Sequence, residues 1–349
     1  MASGSLPCSS DLRSWPSLFL GHQKHSENSV EITVINRSEI VEPDQIRDWL
    51  RGPMVAVATP FTEDYALDLE ALHTNVRFMI DRGVRTGQGS LLVGGAGGEH
   101  PTLNVEERKL VMTTALEAAR GEVPVLSSIQ HTDARVIVEL ARHASEVGLD
   151  GAQLGPTYYY TPTEGDVLRL FDLVAKESDV SLMIYHTWWE GLTMSLDLLK
   201  RLSDIESVRS LKWSSSNPEH YRQTLLALSD SLVMIDNSGE QTSSHLLGAR
   251  GFITHLSGFW PEYPLEIWQL MEQGEYAAAK EKLTAFKWKW NLWRNRVAEV
   301  TGGEGPFIKA AMEAVGLQVG PPRPPSVRPP DHLLDELREL LDSANVPKA

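Results

Sequence analysis

Between residues 54 and 256, short runs of β-branched and apolar residues alternate with longer stretches whose apolar positions recur at helical spacing. The runs predict strands over 54–59, 90–94, 123–129, 151–154, 181–186, 208–214, 231–236 and 251–256. The stretches between them predict helices over 67–82, 105–120, 134–147, 164–177, 195–203, 218–229 and 240–247. Asn104 with Glu107, and Thr163 with Asp166, have the spacing that closes a helix N-terminus.

Eight strands alternating with helices predict an α/β chain folded as a (β/α)8 TIM barrel. A doubly wound sheet is the competing architecture. It usually carries G-x-G-x-x-G after its first strand, whereas here the first run continues into Ala58-Thr59-Pro60-Phe61. Residues 1–50 read as an N-terminal extension ending in a short helix over 42–50 that covers the bottom of the barrel. Residues 51–261 read as the barrel core. Residues 262–349 read as C-terminal helices packed on it, with a Trp-rich stretch over 286–293, a proline-rich connector over 320–330 and a last helix over 331–343.

Of the 349 residues 42% are hydrophobic, enough for a sizeable core. The formal net charge of −15 argues against nucleic acid or an anionic membrane as partner, since both require basic surface. No apolar run is long enough to span a bilayer, and the first two dozen residues lack the pattern of a secretory signal. Cys8 is the only cysteine, so no internal disulfide forms and a reducing cytoplasm is the expected compartment. His100, His131, His186 and His255 lack metal-ligand spacing, so no metal and no cofactor are expected.

The chemistry centres on Lys212, which lies inside the apolar run 208–214. An ammonium is rarely buried without a partner; burial favours its neutral form, and a neutral amine attacks ketones. One strand earlier the run 181–186 reaches Tyr185 at the matching place. A lysine and a tyrosine closing consecutive strands predict Schiff-base chemistry with a proton carrier beside it. In such barrels active sites lie at the C-terminal ends of the strands. That mouth collects Thr59, the loop Gly95-Ala96-Gly97-Gly98, the tyrosines 158–160, His186, Trp188, Trp189, Asp236 and Ile253. Trp188 and Trp189 read either as pocket lining or as core or interface aromatics.

Together with Thr59-Pro60-Phe61, Gly98-Glu99 before Thr102-Leu103, the 156–159 region, and Gly248-Ala249-Arg250-Gly251-Phe252-Ile253-Thr254, these residues resemble the dihydrodipicolinate synthase / N-acetylneuraminate lyase family of class I aldolases from about residue 52 to about 325. The resemblance implies that Lys212 forms an imine with a 2-oxo acid and that Tyr185 moves protons. It implies that the glycine loop holds the substrate carboxylate through backbone N–H groups, and that Tyr159 completes a relay across a subunit contact. It also implies a homo-oligomer, a dimer or a tetramer built from dimers.

Two departures stand out. The family's loop usually carries two hydroxyl residues where this chain has Ala96 and Gly97, and the arginine that many synthases place after the tyrosine is replaced within His186-Thr187-Trp188-Trp189-Glu190-Gly191. The expectation is a pyruvate-type aldolase or lyase with a bulky or neutral aldehyde partner rather than the lysine-pathway synthase. A dehydratase, deaminase or hydratase-aldolase using the same imine, and a non-catalytic barrel acting as sensor or scaffold, are the alternatives.

Overall fold

The computed structural model describes residues 43–188 and 191–349. Residues 1–42 of the expected 1–50 extension, and the Trp189 assignment, lie outside the described residues.

Eight parallel strands close into a barrel in chain order. They are β1 (Gly52–Ala56), β2 (Ser90–Val93), β3 (Val125–Ser128), β4 (Gly151–Leu154), β5 (Leu182–Tyr185), β6 (Val208–Trp213), β7 (Val233–Asp236) and β8 (Gly251–Thr254). Closure is made by β1 against β8, with Met54 opposite Ile253. The helix α1 (Pro43–Trp49) precedes the barrel. Between strands run α2 (Leu69–Asp81), α3 (Val105–Ala119), α4 (Ala134–Val147), α5 (Glu164–Glu177), α6 (Leu196–Ser203), α7 (Pro218–Leu228) and α8 (Gln241–Leu246). The two expected N-terminal boxes are present: Asn104 and Glu107 cap α3 reciprocally, as do Thr163 and Asp166 on α5.

Strand alternation divides the core in two. Met54, Leu92, Leu126, Met183, Val233 and Ile235 meet inside the barrel. Val55, Leu91, Val125, Leu182, Ile184, Leu211 and Met234 point outward into the helix layer. Ile46 and Leu50, at α1 and just past it, join the inner cluster and cover the end where the strands begin. Burying two such side chains contributes roughly 1.5–3 kcal/mol each. One irregularity affects the phase: Leu182 pairs with Val208, but Met183 pairs with Ser210, so Arg209 is an extra residue on β6.

Beyond the barrel lie α9 (Glu262–Glu272), α10 (Tyr276–Thr301), α11 (Gly305–Val315) and α12 (Asp331–Ser343). In α10, Phe286, Trp290, Trp293 and Val297 recur every three or four residues and are buried as one face against Phe259 and Phe307. Trp288 and Leu292 are exposed on the other side. Among the described residues no helix is long and apolar enough to cross a membrane. Between α10 and α11, Gly302 and Gly303 both adopt positive φ (68° and 67°), turning the chain so that Glu304 opens α11.

Candidate active site

Lys212 and Tyr185 are register partners on β6 and β5. Both fall on the inward phase, near the C-terminal ends of their strands. The Lys212 side chain is only 7% exposed, and its Nζ lies 4.6 Å from the centroid of the Tyr185 ring. A cation over an aromatic face is attracted by the ring quadrupole.

The glycine loop follows β2. Gly94 takes φ 57°, a conformation suited to glycine. The Gly98 amide then donates to the Gly95 carbonyl at 3.1 Å, and that of Glu99 to Ala96 at 3.0 Å. From the segment just past β1 the Thr59 hydroxyl donates to the Gly98 carbonyl at 2.7 Å, fixing the turn from the side. A Cβ on Gly98 would stand 3.0 Å from the Val57 carbonyl oxygen and 3.1 Å from the Gly94 nitrogen, so close backbone approach excludes a side chain. Ala96 is exposed at the rim. A Cβ on Gly97 would meet Ile308 at 2.9 Å, Ala56 at 3.2 Å and the Glu304 carboxylate at 3.6 Å.

Underneath, Glu99 is held in the left-handed region (φ 55°). Its Oε1 lies 2.7 Å from the Lys309 ammonium of α11, and its Oε2 accepts from the Arg323 amide at 3.1 Å. Lys309 also donates to the Pro321 carbonyl at 2.9 Å and sits 4.0 Å over the Phe61 ring. Burial pushes this lysine down to about 8, with Glu99 opposing. The wall beside the loop is polar: Ser128 donates to Gln130 at 3.2 Å, as does Gln153 at 3.3 Å, and among the described residues the Gln153 Oε1 has no partner.

Thr59 and residues 95–98 are thus brought to the mouth with Lys212 and Tyr185, and Ile253 faces inward on β8 opposite Met54. Tyr159 stands on the loop after β4, 86% exposed with φ 89°, its ring edge-on to Tyr160 at 4.9 Å. Trp188 is exposed beyond β5.

Two expectations are corrected. His186 and Asp236 follow inward residues by one position, so alternation turns both into the layer between barrel and helices. The His186 ring packs on Trp213 at 4.7 Å, its Nδ1 lies 2.8 Å from the Ser214 carbonyl oxygen, and burial lowers its pKa. The Asp236 carboxylate accepts from the Tyr221 hydroxyl at 2.6 Å and the Ser238 amide at 2.8 Å, and burial raises its pKa.

Sequence reasoning places His255 at the end of the eighth strand but misses its carboxylate partner, Glu304. His255, one residue past β8, continues the inward phase of Gly251 and Ile253, and its Nε2–H donates to Glu304 Oε2 at 3.2 Å. Burial acts to raise the Glu304 carboxyl. His255, Lys212 and Arg294 outweigh it and hold the group at about 2, so it is ionised. The only sequence signal for Glu304 is the double glycine before it, which marks a turn but not what the turn reaches.

A closed (β/α)8 barrel with a buried lysine, a tyrosine and a glycine turn at one mouth has the architecture of a barrel enzyme. The chain belongs to the Dihydrodipicolinate synthetase family, a family of lyases, whose model matches residues 49–344. A DapA-like lyase of Thermococcus onnurineus is 26% identical over 299 residues, spanning 84% of this chain and 98% of the relative. The 4-hydroxy-tetrahydrodipicolinate synthase of Aquifex aeolicus is 30% identical over 234 residues, 66% of this chain and 78% of that one. Among solved structures, the dihydrodipicolinate synthase of Aquifex aeolicus matches with a TM-score of 0.77 and 28% identity, over 86% of this chain and 99% of that one. YagE, a prophage protein of the same family from E. coli K12 solved in complex with pyruvate, matches with a TM-score of 0.76 and 25% identity, over 85% and 99% of the two chains.

Proposed function

We propose that the chain is a class I lyase that joins Lys212 to a pyruvate-type 2-oxo acid as a Schiff base and makes or breaks a carbon–carbon bond. The observation that carries this reading is the placement of Lys212: buried, turned inward at the barrel mouth and set against the Tyr185 ring. The pyruvate bound by the related YagE supports the choice of keto partner.

In the first step the neutral Lys212 amine adds to the ketone; the carbinolamine hydroxyl takes up one proton, passed to it by Tyr185, and leaves as water, which gives a protonated imine. That cation withdraws electrons, so the adjacent carbon loses a proton or a carbon–carbon bond breaks toward it. Tyr185 passes the proton between the imine carbon and the reacting oxygen. The loop amides around Ala96 and Gly97 receive the substrate carboxylate, with Thr59 holding the loop through Gly98.

The exposed tyrosines 158–160 form a contact with a second copy of this chain, through which Tyr159 joins the proton path. The site lacks a hydroxyl on Ala96 or Gly97 and a second-carboxylate arginine in the segment after Tyr185, so the lysine-pathway synthase reaction is not the one proposed. A single cysteine accords with a cytoplasmic setting.

Borohydride reduction in the presence of pyruvate tests the proposal. An adduct found by mass spectrometry on the peptide containing Lys212 is the expected result. No adduct with any 2-oxo acid would overturn it.

A further inference from the structure

The wall formed by β3 and β4 carries polar side chains that the imine steps above do not use. Ser128 and Gln153 are register partners on these strands. Ser128 lies two residues past the inward Leu126, and Gln153 lies between Ala152 and Leu154, which point outward, so both polar side chains face into the barrel. Gln130, two residues beyond Ser128, continues the same phase. All three are buried, Gln130 to 4% exposure and Gln153 to 2%. From α3 the Arg108 guanidinium donates to the Gln130 carbonyl at 2.8 Å and to the Ser128 carbonyl at 2.7 Å, which fixes the backbone that carries two of them.

Their hydrogen bonds are unevenly shared. The Ser128 hydroxyl and the Gln153 Nε2 both donate to Gln130 Oε1, at 3.2 Å and 3.3 Å, which uses both lone pairs of that oxygen. Gln153 Oε1 is left as a buried acceptor with no partner among the described residues. The Gln130 Nε2 is turned toward Gly155: a Cβ on that glycine would stand 2.8 Å from it and 3.3 Å from Cδ1 of the Tyr185 ring. The missing side chain at 155 thus leaves the amide room beside Tyr185. Strand β5, which carries Tyr185, separates this wall from the strand of Lys212.

We propose that Ser128, Gln130 and Gln153 form a subsite for a hydroxyl of the substrate chain, on the far side of Tyr185 from Lys212. This rests on the imine reading and deepens it. A buried acceptor without a donor forfeits the hydrogen bond that water gives it in the unfolded chain, and a ligand donor restores that bond. Gln153 Oε1 requires a donor, and Gln130 Nε2 is one. A hydroxyl meets both, since it donates and accepts. A carboxylate only accepts and leaves Gln153 Oε1 unpaired, and an alkyl chain satisfies neither amide. A site built around a substrate hydroxyl discriminates against the analogue that lacks it, because its own polar atoms then stay unpaired.

The test uses two pairs of 2-oxo acids on the full chain: 5-hydroxy-2-oxopentanoate with 2-oxopentanoate, and 6-hydroxy-2-oxohexanoate with 2-oxohexanoate. Neither hydroxy acid has the C4 hydroxyl that carbon–carbon cleavage toward the imine requires, so each stays intact on Lys212. The readout is the concentration giving half-maximal borohydride-trapped adduct, taken as the ratio of hydroxy acid to plain acid. Closure of a hydroxy acid to its cyclic hemiketal in solution is the same for every protein variant and cancels in the comparison. Gln153→Leu removes the acceptor and keeps the bulk, and Gln130 retains its bond from Ser128. In at least one pair this variant should raise the ratio on the order of tenfold over the wild type. Gln153→Met gives the same reading if the leucine variant does not fold.

A ratio unmoved or lowered in both pairs would overturn the subsite while leaving the imine intact; a water molecule fixed on Gln153 in place of a substrate hydroxyl would give the unmoved ratio. Failure of the wild type to trap any 2-oxo acid, pyruvate included, would remove the imine reading and the subsite together.

Discussion

Lys309 and Glu99 form a buried ion pair, 2.7 Å apart, that ties α11 to the underside of the glycine loop. The lysine side chain is 2% exposed and the glutamate 6%. Removing one partner of such a pair leaves an uncompensated buried charge. Lys309→Met should therefore destabilise the protein by about 3–5 kcal/mol. Combining it with Glu99→Leu should recover part of that loss, and chemical denaturation of the single and double variants measures the difference.

The second prediction separates binding from proton transfer. Lys212→Ala should abolish the borohydride-trapped adduct. Tyr185→Phe keeps the ring that Lys212 faces but removes the hydroxyl. Its adduct should still form, while turnover falls on the order of 10²–10⁴-fold if proton transfer is limiting. Adduct mass and product release, followed on the same samples, distinguish the two variants.

Gly97 and Gly98 should respond differently to a methyl group. At Gly98 the new Cβ meets backbone atoms of Val57 and Gly94, which cannot move without opening the loop. At Gly97 the nearest atom is the far end of the Ile308 side chain, which can rotate away. Gly98→Ala should thus lower the melting temperature and adduct yield more than Gly97→Ala, whose cost should stay at roughly 1–3 kcal/mol. Parallel thermal melts decide the order.

Tyr221→Phe removes the 2.6 Å hydrogen bond to Asp236 and leaves that buried carboxylate with fewer donors. A loss of about 1–3 kcal/mol is expected. The effect should appear in denaturant midpoints without loss of the Lys212 adduct, because Asp236 faces the helix layer and not the mouth.

Acid should weaken the fold through His100. Burial, reinforced by the nearby Arg108 charge, pushes this imidazole from 6.5 down to about 4. Between those values the unfolded chain binds a proton that the folded chain refuses, so stability falls as pH drops from about 6.5 to about 4. His100→Gln should flatten that part of the stability profile. Denaturant midpoints collected across this range give the comparison.

Much of the barrel is legible in the sequence because the strands are compact apolar runs and the helices after β1 to β6 open on a side-chain N-cap. The run at 151–154 and the helices at 134–147 and 164–177 coincide with the observed elements. The first strand is displaced: it begins at Gly52-Pro53, two residues before the expected start at 54. Gly52 is required there because a Cβ would stand 2.8 Å from the Gln88 backbone.

At the site, the meeting of Lys212, Tyr185, Thr59 and the glycine loop follows from strand order alone. The errors at His186 and Asp236 come from treating the last residues of a strand as equivalent when only alternate ones face in. Glu304 was invisible for another reason. It is distant in sequence, and only the packing of α10 and α11 brings it to the barrel.

The extra residue at Arg209 has a consequence for heredity as well as for geometry. Counted from Val208, which points out, an unbroken strand would send Lys212 out as well; the inserted residue reverses the parity. Loss of the Arg209 codon would remove the bulge and leave Val208, Ser210, Leu211 and Lys212 opposite the same four residues of β5, with the lysine still facing in. Gain or loss of one residue between Ser210 and Lys212, with the pairing of Val208 and Ser210 kept, would instead turn the amine into the helix layer. The reactive amine is thus inherited as an odd or even number of residues, so a relative can retain the lysine letter for letter and still lose its use.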